Sequence, residues 1–145
     1  MKLSTIPKNL KLKGRRVLIR LDLNEPIENG KVVNDFRIRR IIPTLQFLVK
    51  NGAKIVVISH RGEKEDSLKP IALYLNKFIK VGFVPDVCCS VASYSIKMMA
   101  DGSIIILENL IKEKGEEKNY LNFDKKLAKF ADIYINEAFS VSHRK

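Results

Sequence analysis

Four short apolar runs mark the chain, at residues 17–23, 54–59, 103–107 and 132–136, each rich in β-branched side chains. The second and third are apolar on consecutive positions, not alternating ones, which is how strands covered on both faces of a parallel sheet read. Residues 81–84 are a weaker fifth candidate. Between the runs the period lengthens. Ile38, Ile41, Ile42, Leu45, Leu48 and Val49 share one face of a helix predicted over 37–50, which Asn51-Gly52 stops. Pro43 lies inside this stretch and predicts a kink or a late start, because proline removes a backbone donor. Ser67 reads as the N-cap of a helix carrying Leu68, Ile71, Ala72, Leu75, Phe78 and Ile79. Residues 90–100 and 121–131 read as two more helices, the latter through Phe123, Leu127 and Phe130. Residues 112–118 read as a solvated charged loop. Strands alternating with helices give an α/β fold, a parallel sheet with helices on both faces.

Length and composition narrow the function. The 145 residues suffice for one ordinary domain, and 46% hydrophobic with 30% charged residues excludes collagen-like and disordered chains. Twenty-seven Lys and Arg against 16 Asp and Glu leave a net charge of +11. That excess favours an anionic partner: nucleic acid, an acidic membrane surface or a phosphorylated small molecule. Nucleic acid is disfavoured, since Trp is absent, the aromatics sit mostly at apolar helix positions and the lysines are spread over every segment. No run approaches the roughly 20 apolar residues of a membrane span, and the first residues lack the apolar core of a secretion signal. Cys88 and Cys89 are adjacent and have no metal-type spacing around them. They read as small buried or half-buried residues in a reducing, cytoplasmic compartment.

In open α/β sheets ligands bind beyond the carboxyl ends of the strands, and all four strong runs end in polar clusters. These are Arg20, Asp22, Asn24 and Glu25; Ser59, His60 and Arg61; Glu108 and Asn109; and Asn136 and Glu137, followed by His143 and Arg144. Polar residues after a strand are common, and Asn24 equally serves to turn the chain before Pro26. A lone His60 is ordinarily structural. Arg20, inside a strand, needs an anionic partner. Together Arg20, Arg37, His60 and Arg144 can surround a phosphate or carboxylate through forked, charge-assisted hydrogen bonds. Neither Gly-rich phosphate-loop motif is present.

These residues also carry a resemblance. Arg20-Leu21-Asp22-Leu23-Asn24-Glu25-Pro26 resembles the R-V-D-F-N-V-P signature of phosphoglycerate kinases, and Asp35-Phe36-Arg37-Ile38-Arg39 is similar to the segment that follows it there. Residues 51–60 resemble the G-A-K strand ending in S-H, Ser67-Leu68-Lys69-Pro70 the S-L-x-P helix start, and Leu107-Glu108-Asn109-Leu110 the L-E-N-L motif. Lys114-Gly115-Glu116-Glu117-Lys118, residues 132–139 and His143-Arg144 continue the match in order. The resemblance implies a Rossmann-like fold and places all 145 residues in a single, incomplete N-terminal domain that binds 3-phosphoglycerate or 1,3-bisphosphoglycerate. It implies that Asp22, Asn24, Arg37, His60 and Arg144 contact the substrate, with Arg20 and His143 in support. Arg37 is implied as the catalytic residue that stabilises charge on the transferring phosphoryl group. Mg-ATP or Mg-ADP is implied for the full-length enzyme, with none bound by this chain, which is therefore expected to be inactive alone. A cytoplasmic monomer is expected.

The sequence departs from the family pattern in places. Glu63 and Ile111 stand where the family has anion-binding arginines, Glu137 lengthens the usual aspartate, and Ser140-Val141-Ser142 replaces G-T-A. A non-catalytic anion-binding relative is therefore the alternative reading, with a basic nucleic-acid-binding module ranked below it.

Overall fold

The structure is a computed structural model that describes residues 10–113 and 121–138. In chain order the elements are β1 (Arg16–Arg20), β2 (Ile27–Glu28), β3 (Lys31–Val32), α1 (Phe36–Lys50), β4 (Lys54–Ile58), α2 (Lys69–Leu75) and β5 (Gly82–Val84). They are followed by α3 (Ser90–Lys97), β6 (Ile104–Leu107), a 3-10 turn (Leu110–Lys112), α4 (Leu121–Ala128) and β7 (Ile133–Asn136). Five strands form one sheet in the order β5-β6-β4-β1-β7, and every pairing is parallel.

Unbroken apolar strands require cover on both sides, and the sheet has it. Val17, Ile19, Ile55, Val57, Ile104 and Ile106 face α1 and α2, where Ile38, Leu45, Leu48, Ile71 and Leu75 complete one core. Leu18, Val56, Ile58 and Leu107 face the other way, against Ala92 and Ile96 of α3 and Phe123 and Leu127 of α4. This is the α/β arrangement the periodicity predicts, and residues 82–84 do form the fifth strand.

Several details differ from expectation. α1 runs unbroken through Pro43, starting at Phe36 and not late. Pro43 lies on the solvent side, so the carbonyl left without a donor is open to water, while four buried apolar residues hold the opposite face. The N-cap of α2 is Leu68 and not Ser67; Ser67 lies one residue earlier, its Oγ accepting from the Lys69 amide at 3.1 Å. α3 and α4 are shorter than the spacing suggests, ending at Lys97 and Ala128. Cys88 is half-buried, but Cys89, at the extended position before α3, is exposed.

The sequence reading does not include the β2–β3 hairpin. Its strands have two residues each, too short for any periodicity, yet Asn29 and Gly30 between them have φ of 49° and 73°, the left-handed pair that a tight hairpin turn requires. The charged loop predicted at 112–118 lies outside the described residues from Lys114 on.

Candidate functional site

Because the strands are parallel, the polar clusters that follow β1, β4, β6 and β7 come to one edge. Arg20 lies level with Ile58 of β4 and Asn136 of β7. Beyond β1 the chain is tied to the end of β4 by Ser59, which is fully buried. Its hydroxyl donates to the Leu21 carbonyl at 2.7 Å and accepts from the Leu23 amide at 3.2 Å. Asn24 then turns back. Its amide donates to Asp22 Oδ1 at 3.3 Å, and its own Oδ1 accepts from the Gly62 amide at 3.1 Å. Asn24 thus bridges the loops after β1 and β4.

Arg37 enters this edge from the first turn of α1. Its Nε lies 3.4 Å from Asp22 Oδ2, and its Nη1 donates to the Asn24 carbonyl at 2.6 Å. The side chain remains 44% exposed. Behind it lies Glu25, whose Oε1 accepts from the Arg37 and Ile38 amides at 2.5 and 3.2 Å. Those are first-turn donors with no partner inside the helix, and a carboxylate there also meets the positive end of the helix dipole.

His60 lies two residues beyond the end of β4 and is half-buried. Arg61 is turned inward, 12% exposed, with Nη1 2.6 Å from Asp66 Oδ1 and Nε donating to the Glu25 carbonyl at 3.4 Å. It is occupied by the loop and does not replace an arginine at position 63, where the exposed Glu63 sits. Asn109, fully buried, fastens this loop. Its Oδ1 accepts from the Arg61 amide at 2.9 Å, and its Nδ2 donates to the Arg61 and Asp66 carbonyls at 2.7 and 3.0 Å. Burial by itself would raise the Glu108 carboxyl, but the Leu68 and Asn109 amides, Lys112 and the Ser67 hydroxyl outweigh it and hold the group below the ordinary glutamate range.

Arg20 is the last residue of β1. It lines a groove on the α4 side of the sheet, with Leu18, Ile58, Leu127 and Tyr134, whereas Arg37 stands at the head of α1 on the opposite side. His143 and Arg144 lie outside the described residues. A cleft of about 640 Å³ opens between α1 and the ends of β1 and β7, lined among others by Asp22, Glu25, Arg37, Arg40, Thr44 and Glu137. Thr44 closes its far wall by donating to Glu137 Oε1 at 2.8 Å. Three carboxylates and two guanidiniums make this a mixed-charge cleft, able to take an anion on the arginine side and hydroxyl groups on the carboxylate side. Among the described residues no group of three or more His, Cys, Asp or Glu side chains is placed to hold a metal ion.

Residues 7–145 match the family model described as phosphoglycerate kinase. The chain belongs to the phosphoglycerate kinase family. Curated phosphoglycerate kinases from Leptospira biflexa and Rhodopseudomonas palustris are 42% and 44% identical to it over 141 and 140 residues, in each case 92% of this chain. The solved phosphoglycerate kinase of Coxiella burnetii superposes with a TM-score of 0.82 at 37% identity, and that of Pyrococcus horikoshii with 0.86 at 29%. Each of these structures is matched over 94% of this chain. The chain spans only about 36% of the length of the relatives it matches.

Ser59, Glu25 and Asn109 do most to hold the site together, and the sequence reading gave none of them that task. Glu25 and Asn109 look like loop polar groups in sequence. Only the fold reveals that they are buried and bonded to backbone 12 or more residues away.

Proposed function

We propose that this chain carries the acid-substrate side of phosphoryl transfer between 1,3-bisphosphoglycerate and ADP, holding 3-phosphoglycerate or 1,3-bisphosphoglycerate at the carboxyl edge of its sheet. The observation that carries the reading is Arg37, braced by Asp22 and the Asn24 carbonyl yet 44% exposed at that edge. In this reading Asp22, Asn24 and His60 receive the glycerate hydroxyl and carboxylate. Arg144 adds a second cation, and Arg37 faces the phosphoryl group as charge builds on its equatorial oxygens. Such a transfer is driven by positioning and charge stabilisation more than by an acid or base. No described residue is assigned to Mg-ATP or Mg-ADP, and the 145 residues alone are expected to bind without turning over. We place the protein in the cytoplasm as a monomer; among the described residues no helix is long and apolar enough to cross a membrane.

Calorimetric titration of the purified chain with 3-phosphoglycerate tests this. Arg37→Ala and Arg144→Ala should each weaken binding about ten- to a hundredfold, the loss of a charge-assisted hydrogen bond being roughly 1.5–3 kcal/mol. An unchanged dissociation constant in a folded Arg37→Ala protein would refute the assignment. A second reading, a non-catalytic anion-binding relative, draws on Glu63 and Ile111 at the positions of the family's arginines. It predicts that inorganic phosphate competes as well as 3-phosphoglycerate itself.

A further inference from the structure

Glu25, Ser59 and Asn109 are the buried polar side chains among the described residues, and Glu25 is the one that bears a charge-forming group. Its carboxyl is held at the head of α1 by the Arg37 and Ile38 amides, and its Oε2 lies 3.5 Å from Arg37 Nη1. The backbone around it is fixed as well, its amide donating to Leu23 O at 2.8 Å and its carbonyl accepting from Arg61 Nε at 3.4 Å. The matching position of the family signature usually holds valine, which can make none of the side-chain bonds.

Two consequences follow from this packing. The anion-binding end of α1 is already filled from within, so an incoming acid meets the guanidinium and not the helix amides. The guanidinium is also held by three groups, Glu25 and the Asn24 carbonyl at Nη1 and Asp22 at Nε, while the side chain stays 44% exposed. A long side chain held in one conformation surrenders less entropy when a ligand arrives. We propose that Glu25 is the positioning residue for Arg37, fixing the guanidinium with its outer edge turned to the ligand. This rests on Arg37 as a ligand contact.

The experiment combines a double-mutant cycle with an NMR measurement on the same protein. Glu25→Gln keeps the shape and removes the charge. It should weaken 3-phosphoglycerate binding at least fivefold with Arg37 present and less than twofold in an Arg37→Ala background, because the effect passes through Arg37. Equal losses in both backgrounds, no loss, or tighter binding would overturn the proposal. In the unaltered chain the Arg37 guanidinium should show slow rotation, with separate Nη signals that merge in Glu25→Gln. Merged signals in the unaltered chain would overturn it without any variant, even if Glu25→Gln fails to fold. If the unaltered chain binds no 3-phosphoglycerate, the substrate reading fails, and the guanidinium spectrum still decides whether Glu25 holds Arg37.

Discussion

The Asn109 amide serves both sides of the loop after β4, accepting from the Arg61 and Ile111 amides and donating to the Arg61 and Asp66 carbonyls. Asn109→Ala strands several of these groups, each worth roughly 1–3 kcal/mol when left unpaired. Urea denaturation should show a loss of about 2–4 kcal/mol, and a loss under 1 kcal/mol would mean that water or a shifted loop replaces the amide. Its neighbour Glu108 gives a pH signature. Its folded pKa is depressed, so its contribution to stability is complete above the ordinary value of 4.5 and is lost as pH falls through the lower folded value. Urea midpoints from pH 3 to 7 should therefore fall more steeply on acidification in the unaltered chain than in Glu108→Gln; parallel curves would contradict it. At this scale legibility was uneven. Asp22, Asn24 and His60 stood out because polar groups beside apolar strands are visible in a sequence, and Arg37 through the family resemblance. Glu25 was visible in the same cluster but its bracing role was not, because its partners are backbone amides of a helix that starts eleven residues later, and backbone donors leave no mark in side-chain spacing.

Among the elements, those with long apolar runs were legible, since burial on two faces demands them. The β2–β3 hairpin escaped, although Asn29-Gly30 carried its turn chemistry in plain letters. Pro43 misled in the other direction, because exposure on the outer face of α1 removes most of the penalty the residue would exact inside a core. Two glycines with positive φ separate backbone strain from crowding. A Cβ at Gly30 would meet nothing within 4 Å, whereas at Gly62 it would collide with the Asp66 carboxylate that braces Arg61 and the Glu63 amide. Gly30→Ala should cost about 1–2 kcal/mol, the left-handed penalty alone. Gly62→Ala should cost more and also weaken 3-phosphoglycerate binding, because the Gly62 amide anchors Asn24. Chemical denaturation beside the same titration checks both, and equal costs would show that the Asp66 side chain moves away freely.

Over the whole molecule, parallel strand order brings residues far apart in sequence to one rim, and that rim carries the functional reading. The opposite rim has its own cations. A groove of about 560 Å³ there is lined by Arg16, Lys54, Lys97, Lys126 and Lys129, and it explains how a charge of +11 can be spread without marking the site. Charge alone therefore cannot tell the two rims apart, but the side chains that crowd around Arg37 can. The most direct measurement is residue-resolved NMR of the isotope-labelled 145-residue chain during titration with 3-phosphoglycerate at near-physiological salt. Saturable shifts concentrated at Asp22, Asn24, Arg37, His60 and Gly62 are predicted. Shifts confined to the Arg16–Lys54–Lys97 groove, or none in a folded sample, would contradict the account.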